Sequence, residues 1–221
     1  MVPVTTALLG FALASTLVIL APGPDVMLVM RNTMRGGRRA GWLTACGTLS
    51  GLAIWAFAAA LGLSTLLQVS HVAYDVLRFC GAAYLIWLGT TSFGRLRRKG
   101  GTAARPAPEG AGIAGAARAR PARTYFNGML SNLLNPKVSV FFMAFLPAFI
   151  PAGASASQFS LALGAWFIAE TGLWLAVVAW LADRGVRWLR RPAVQRWMER
   201  VTGVVLIGFG LRLATESRRF A

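Results

Sequence analysis

The stretch ILAPGPDVMLVM (Ile19–Met30) places two prolines, a glycine and an aspartate inside an apolar segment. Proline has no backbone N–H, so Pro22 and Pro24 interrupt the hydrogen-bond ladder of any helix that contains them. Asp25 follows at once and adds a carboxylate, which needs polar partners wherever apolar surroundings keep water away. The stretch therefore predicts two half-helices that meet at a polar break.

The composition is that of a membrane protein. Of the 221 residues, 56% are hydrophobic and 14% are charged, whereas about 25% of the residues in an ordinary soluble domain are charged. The mean hydropathy is +0.58. Apolar segments recur along the chain, and all but the last reach the roughly 17 to 25 residues that a helix needs to cross a bilayer. They are Thr5–Met30, Ala40–Leu67, Val72–Thr91, Tyr125–Ile150, Phe159–Leu181 and about Val201–Ala214.

These segments are predicted to be helices, because backbone groups cannot stay unpaired in lipid. The alternating residue pattern of a membrane barrel is missing from the sequence. The sequence therefore predicts an all-α polytopic membrane protein with about six transmembrane helices. The last segment is short, and whether it spans fully stays open at this stage.

The distribution of the net charge of +16 indicates a membrane environment rather than nucleic acid. Basic residues cluster in Arg31–Arg39, Arg95–Arg123 and Arg184–Arg200, after the first, third and fifth predicted spans. Clusters next to spans are typical of cytoplasmic loops that face anionic lipid. We therefore expect these loops in the cytoplasm, both termini on the periplasmic side and no nucleic-acid partner.

The segment Gly94–Thr124 consists mainly of Ala, Gly, Pro and Arg and cannot bury a core. It is predicted to be a cytoplasmic linker between a first three-span repeat (1–93) and a second one (125–221). Because three is an odd number, the two halves cross the membrane in opposite senses, as two inverted three-helix repeats do.

A second break lies in the fourth span, at Asn135-Pro136-Lys137. Both breaks are typical of helix starts, with proline at the first helical position. Their prolines remove helix hydrogen bonds to the carbonyls of Val18, Leu20 and Asn132. Broken helices in corresponding positions of two halves, here the first and the fourth, are the best sequence indication of a transporter binding site.

An amino acid suits the two breaks. Its carboxylate fits Lys137 and the free N–H groups, and its ammonium fits Asp25 and the free carbonyls. Alternatives stay open: the prolines only shape packing, Asp25 lies near the lipid headgroups, or Asp25 and Lys137 pair with each other. The candidate substrate-binding residues are Pro22, Gly23, Pro24, Asp25, Asn135, Pro136 and Lys137.

Glu170 is a third charged residue near the middle of a span, and an ionisable group at that depth indicates function. Glu170 or Asp25 is the candidate for proton coupling. The alternatives for Glu170 are a structural hydrogen bond or a pair with Lys137. The chain has one histidine, in a predicted loop, so neither a metal site nor another cofactor is expected.

The stretches Ala21–Gly51, Phe79–Phe93 and Phe126–Ile150 resemble, in order and spacing, the LysE-type translocators, in particular the RhtB branch of homoserine and threonine exporters. The resemblance implies a bacterial inner-membrane exporter driven by the proton motive force. Its cargo would be amino acids or small derivatives such as homoserine, threonine or homoserine lactone-like molecules. Besides the two breaks, the resemblance places motif or gating residues at Gly36, Gly37, Arg38, Arg39 and Gly41.

The resulting hypothesis is a secondary transporter, not an enzyme, that exports a small zwitterion by proton antiport with alternating access. An intramembrane enzyme would need a nucleophile or metal set at membrane depth. A non-transporting membrane scaffold or lipid-binding protein would not need charges in the middle of its spans, and a channel would not show saturable, proton-coupled flux. Which amino acid is carried, and whether the chain forms a homo-oligomer, stay open.

Overall fold

The structure is a computed structural model, and it describes residues 4–21, 23–69, 76, 79–87, 89–91, 120–151, 153–184 and 192–215. Within these ranges every regular element is helical, which confirms the all-α prediction for the described residues. The helices are α1 (Val4–Leu20), α2 (Pro24–Val69), α3 (Pro121–Leu133), α4 (Pro136–Val140), α5 (Ala156–Asp183) and α6 (Pro192–Thr215). A shorter apolar helix covers Phe79–Thr91.

The predicted break in the first apolar segment is present between α1 and α2. α1 ends at Leu20, and α2 begins at Pro24, where a missing N–H does no harm because the first N–H groups of a helix have no intrahelical partner. Asp25 lies in the first turn of α2, where the helix dipole favours a negative charge. Pro22 lies outside the described residues.

α2 is not one straight rod, because it reverses direction at Gly37. The backbone of Gly37 has φ 71° and ψ −175°, a region that essentially only glycine adopts. Asn32 donates a hydrogen bond of 2.9 Å to the Thr44 hydroxyl, although residues twelve apart in a straight helix lie about 18 Å apart. The two arms, 24–36 and 38–69, therefore lie against each other. The prediction of a loop at Arg31–Arg39 was wrong, since this basic block is helical on both sides of Gly37.

The long arm of α2 packs between α3 and α5, and glycines allow a close approach to both. A Cβ atom on Gly47 would clash with the backbone of Tyr125, and one on Gly128 would clash with the backbone of Thr44. On the other side, a Cβ on Gly164 of α5 would lie 2.7 Å from the Cβ of Ala56. These three glycines therefore serve the packing of helices within the bundle.

The helix that follows the second break, α4, continues into two turns of irregular helix. After α4 it forms a wide π turn at Phe141–Phe145 and a tight 3₁₀ turn at Leu146–Phe149. Both turns present phenylalanines to the core, where Phe141 stacks on Phe167 of α5 with ring centroids 4.5 Å apart. Such local widening occurs often at functional sites, and here the aromatic core fixes the half-helix that begins beside Asn135.

Among the residues the structure describes, two helices are long and apolar enough to cross a membrane: the Pro24–Gly62 part of α2, in which the arm after Gly37 is the long straight stretch, and α5 itself. The pair α3 and Pro136–Phe149, bent by 50° at its break, makes a third if it is counted as one span. α3 begins at Pro121, ahead of the predicted start at Tyr125. The predicted linker lies outside the described residues from 94 to 119.

α6 is longer than the predicted last segment, because it begins at Pro192 rather than near Val201. Its apolar part, Gly203–Arg212, packs closely on the Phe79–Thr91 helix. A Cβ on Gly89 would lie 2.8 Å from the carbonyl oxygen of Gly203. The arrangement as six spans in two inverted repeats stays a prediction.

Candidate functional site

The two helix breaks meet, and Asp25 of the first break is bound by side chains next to the second. Its Oδ2 accepts hydrogen bonds of 3.0 Å from the amide nitrogens of both Asn132 and Asn135. Its Oδ1 accepts one of 3.1 Å from the Ser131 hydroxyl. Asp25 is only 8% exposed, so its carboxylate is enclosed by the packed helices, and its depth in the membrane stays a prediction.

Lys137 reaches in the opposite direction, from the second break to the end of α1. Its Nζ donates hydrogen bonds to the carbonyl oxygens of Val18, at 3.0 Å, and Ala21, at 2.9 Å. The Val18 carbonyl is one that the sequence predicted to lose its helix partner. A cation at a helix C-terminus is also favoured by the helix dipole. Lys137 therefore stabilises the open end of α1.

The two charged side chains therefore cross. Asp25 of the first break binds groups beside the second break, and Lys137 of the second break binds the end of α1. The alternative of a direct ion pair between Asp25 and Lys137 is not found in this structure, because each is held by polar groups of the opposite helix end. We name this arrangement of Asp25, Lys137 and their partners the crossed site. It joins the two halves of the chain at the points where both helices are interrupted.

Asn135 fixes the geometry of the second break. Its Oδ1 accepts the backbone N–H of Lys137 at 3.2 Å, as the N-cap residue of α4 does. Because Oδ1 is used in this way, the amide nitrogen must face Asp25. Pro136 occupies the first helical turn, as predicted. The Asn132 carbonyl, which Pro136 deprives of a helix partner, accepts the Asn135 N–H at 3.0 Å instead.

Gly23 lies inside the crossed site. A Cβ atom on it would lie 3.4 Å from Nζ of Lys137 and 3.7 Å from the amide nitrogen of Asn135. The predicted binding residues of the two breaks are therefore neighbours, apart from Pro22, which the structure does not describe. Pro24 is exposed and starts α2.

Sequence reasoning missed Ser131 and Asn132. Asn132 is 1% exposed, and its Oδ1 has no hydrogen-bond partner among the described residues. The sequence signal was weak, because the helix break lies between Asn132 and Asn135 and helical spacing does not extend across it. An unpaired buried acceptor beside Asp25 is unusual, since buried polar atoms generally find partners.

Glu170 lies on α5 and is bound to α1. Its Oε2 accepts a hydrogen bond of 2.6 Å from the Ser15 hydroxyl, and its Oε1 accepts one from the Thr16 hydroxyl. Of the alternatives for Glu170, the hydrogen bond is observed and the pair with Lys137 is not. Ser15 and Thr16 were not singled out in the sequence, because serines and threonines are common in apolar helices.

The motif residues around Gly37 form the tip of the hairpin in α2, away from the crossed site. Gly36, Gly37, Arg38 and Arg39 are exposed and Gly41 is buried against Thr33. Arg38 forms an ion pair of 3.7 Å with Asp183 at the end of α5. Twelve residues separate Gly37 from Asp25, about 18 Å along a helix.

A small apolar cavity of about 10 Å³ lies beside Lys137. Its walls are formed by Val18, Phe141 and Phe145 on one side and by Leu85, Leu206 and Phe209 on the other. A cavity of that size holds at most about one water molecule. In this conformation the cavity is therefore too small to hold an amino acid.

The family model of the LysE type translocators matches residues 16–217. Membrane protein PA4757 of Pseudomonas aeruginosa is 32% identical over 215 residues, which cover 94% of each chain. Membrane protein YrhP of Bacillus subtilis is 29% identical over 206 residues, covering 93% of this chain and 97% of its own. The leucine efflux protein of Salmonella typhimurium is 29% identical over 214 residues, covering 93% of both. No solved structure matches the chain.

Proposed function

We propose that this chain, which belongs to the LysE type translocator family, is a secondary transporter that exports amino acids or small amino-acid derivatives. The observation that carries the proposal is the crossed site: an anion and a cation in an apolar bundle, each held at a helix break. A non-transporting scaffold would have no use for two charges in such surroundings, since they are costly there.

The substrate is a zwitterion whose two charges replace the present partners of the crossed site. Lys137 now binds two neutral carbonyls, and a substrate carboxylate would give it a charged acceptor, which makes a stronger hydrogen bond. Asp25 now binds neutral donors, and an ammonium would bring it a full positive charge.

The side chain of the substrate is apolar or small. The cavity beside Lys137 is lined by leucine, valine and phenylalanine, and such a wall accepts an aliphatic group but offers nothing to a charged one. Leucine, threonine and homoserine are therefore the first candidates. Leucine is suggested by the Salmonella relative, and threonine and homoserine by the resemblance in the sequence.

Export proceeds by alternating access, with proton antiport as the energy source. The two three-span repeats, 1–93 and 125–221, rock about the crossed site, and their broken helices are the first and fourth of six spans. Opening requires the wall formed by the Phe79–Thr91 helix and α6 to move away from Lys137. In the bacterial inner membrane the basic loops face the cytoplasm and the anionic lipids there, with the termini in the periplasm. The tip of the α2 hairpin, Gly36–Gly41, is the candidate gating element.

The proposal is tested by flux from proteoliposomes loaded with radiolabelled leucine, threonine or homoserine, under an imposed pH gradient. Wild-type protein speeds the release of at least one of the three, with saturation. Asp25→Asn and Lys137→Met each lower the rate by at least about tenfold, because each removes one charged contact to the substrate. Ser160→Ala is the matched control, since the buried Ser160 hydroxyl has no hydrogen-bond partner among the residues that the structure describes. Wild-type rates in both charge variants would refute the proposal.

A further inference from the structure

We propose that Glu170, held between the hydroxyls of Ser15 and Thr16, is the group that carries the proton, and that Asp25 remains an anion that binds substrate. This inference rests on the proposed antiport and assigns its coupling site. The two carboxylates differ in the chemistry of their partners, and that difference decides which of them can gain and lose a proton readily.

Asp25 is surrounded by groups that favour its ionised form. Two of its three partners are amide N–H groups, and such groups donate but cannot accept. The amide of Asn135 cannot turn round, because its oxygen already accepts the N–H of Lys137. A proton on Asp25 would weaken these contacts and remove the charge that an ammonium needs. The site therefore suits a permanent anion.

Glu170 is bound by hydroxyls that can serve either charge state. The Ser15 hydroxyl lies 2.6 Å from Oε2 of Glu170 and 3.0 Å from the carbonyl oxygen of Ala12. The Thr16 hydroxyl contacts Oε1 and lies 2.8 Å from the same carbonyl. Each hydroxyl has one hydrogen and can also accept, so each can donate to Glu170 or to Ala12 but not to both.

Because each hydroxyl can donate to either acceptor, the Glu170 carboxyl group has hydrogen-bond partners with or without a proton. When Glu170 is ionised, both hydroxyls donate to it. When a proton arrives from the periplasmic side, the carboxyl O–H donates to one hydroxyl, and that hydroxyl turns its own hydrogen to the Ala12 carbonyl. When the proton leaves toward the cytoplasm, the hydroxyl turns back. No buried polar atom is left unpaired at either stage, so the usual penalty for such a change is avoided.

Few other ionisable groups face Glu170. α1 and the turns at Phe141–Phe149 contain none. α4 carries Lys137, which is bound to α1 carbonyls. α2 carries Cys46 and Asp25, and its four arginines lie at 31, 35, 38 and 39 near the hairpin tip. Among the described residues none of these forms an ion pair with Glu170.

The proton site and the crossed site share the last turns of α1. Ser15 binds Glu170, and Val18, which binds Lys137 through its carbonyl, follows three residues later, about 4.5 Å along the axis. A change in how Glu170 holds α1 is therefore passed to the carbonyls that hold Lys137. This short link is the means by which proton binding alters the affinity for the substrate carboxylate.

The test separates exchange from net transport in proteoliposomes that contain the full chain. Exchange of labelled for unlabelled leucine, threonine or homoserine needs no proton, whereas accumulation driven by a pH gradient does. Glu170→Gln keeps exchange within about twofold of wild type and loses accumulation by more than about tenfold, because only the proton step fails. Asp25→Asn loses both. The assignment is overturned if Glu170→Gln accumulates substrate like wild type, or if Asp25→Asn keeps exchange and loses accumulation alone.

Infrared titration of the protein in lipid gives a second result that does not depend on the substrate. A band from a protonated carboxyl group, which disappears as the pH rises, is expected in wild type and Asp25→Asn and is absent in Glu170→Gln. The double variant Ser15→Ala, Thr16→Val changes the pH range over which the band disappears, because both hydrogen-bond donors to the carboxylate are removed. Ser160→Ala leaves the band where it was. A band unaltered by Glu170→Gln overturns the assignment, even where none of the three amino acids is transported. If Glu170→Gln loses the band but the wild-type protein transports none of the three amino acids, only the proposed function is overturned.

Discussion

Individual residues at the two breaks were the most predictable part of the site. Proline chemistry predicted that the Val18 carbonyl would be free of helix hydrogen bonds, and capping preferences predicted that α4 starts at Asn135-Pro136. Both predictions are confirmed by the hydrogen bonds of Lys137. The partners of Asp25 could not be predicted, because they depend on which faces of α2 and α3 meet in the folded chain.

A substitution at Asn135 separates its two roles, which are to cap α4 and to donate a hydrogen bond to Asp25. Asn135→Asp keeps the oxygen that accepts the N–H of Lys137, so α4 still begins at the same residue. It removes the amide donor and places a second negative charge beside Asp25. We expect leucine exchange in proteoliposomes to fall by about tenfold or more, since like charges at this distance repel strongly in an apolar site.

The matched comparison for this variant is Asn135→Ser, which keeps a capping oxygen without adding charge. It should lose less exchange activity than Asn135→Asp. Equal activity of the two variants would contradict the charge repulsion, and wild-type activity in both would show that the contact between Asn135 and Asp25 has no role in binding.

At the scale of helices, the apolar segments were recognised from hydropathy, but their ends and bends were not. The reversal at Gly37 was taken as a loop, because the surrounding arginines and glycines are typical of one. Only the positive φ of a single glycine distinguishes a loop from two helical arms joined directly. The start of α6 at Pro192 was missed because its first turns are polar, and hydropathy detects only apolar stretches.

The close contact between α2 and α3 leads to a prediction about stability. Gly47→Ala places a methyl group against the backbone of Tyr125, which cannot move without separating the two helices. We expect a loss of about 1 to 3 kcal/mol in the free energy of unfolding. Thermal unfolding of the purified protein in detergent measures it.

Gly62→Ala is the control in the same arm of α2, because nothing lies within 4 Å of the added carbon. Its melting temperature should stay the same or rise slightly, since alanine favours a helix more than glycine does. The packing interpretation is wrong if Gly47→Ala melts at the temperature of Gly62→Ala.

At the scale of the whole molecule, the N-terminal and C-terminal halves of the chain contact each other at their two helix breaks. The breaks of the first and fourth segments meet, and the correspondence of these segments as parts of two inverted repeats stays a prediction. Sequence could not show the crossing of Asp25 and Lys137, nor the small size of the cavity beside them, because both depend on packing between distant segments. Because this cavity is too small for an amino acid, a substrate that binds there must enlarge it.

The central claim is that the crossed site recognises both charges of an amino acid, and competition by analogues that lack one charge tests it most directly. Inhibition of leucine exchange in proteoliposomes is measured for leucinamide, which lacks the carboxylate, and for 4-methylpentanoate, which lacks the ammonium. In wild type, unlabelled leucine should inhibit at least about tenfold better than either analogue, because each analogue leaves one buried charge unpaired. In Lys137→Met, leucine should no longer inhibit better than leucinamide. In Asp25→Asn, leucine should no longer inhibit better than 4-methylpentanoate. If both analogues compete as well as leucine in wild type, the crossed site does not bind the substrate.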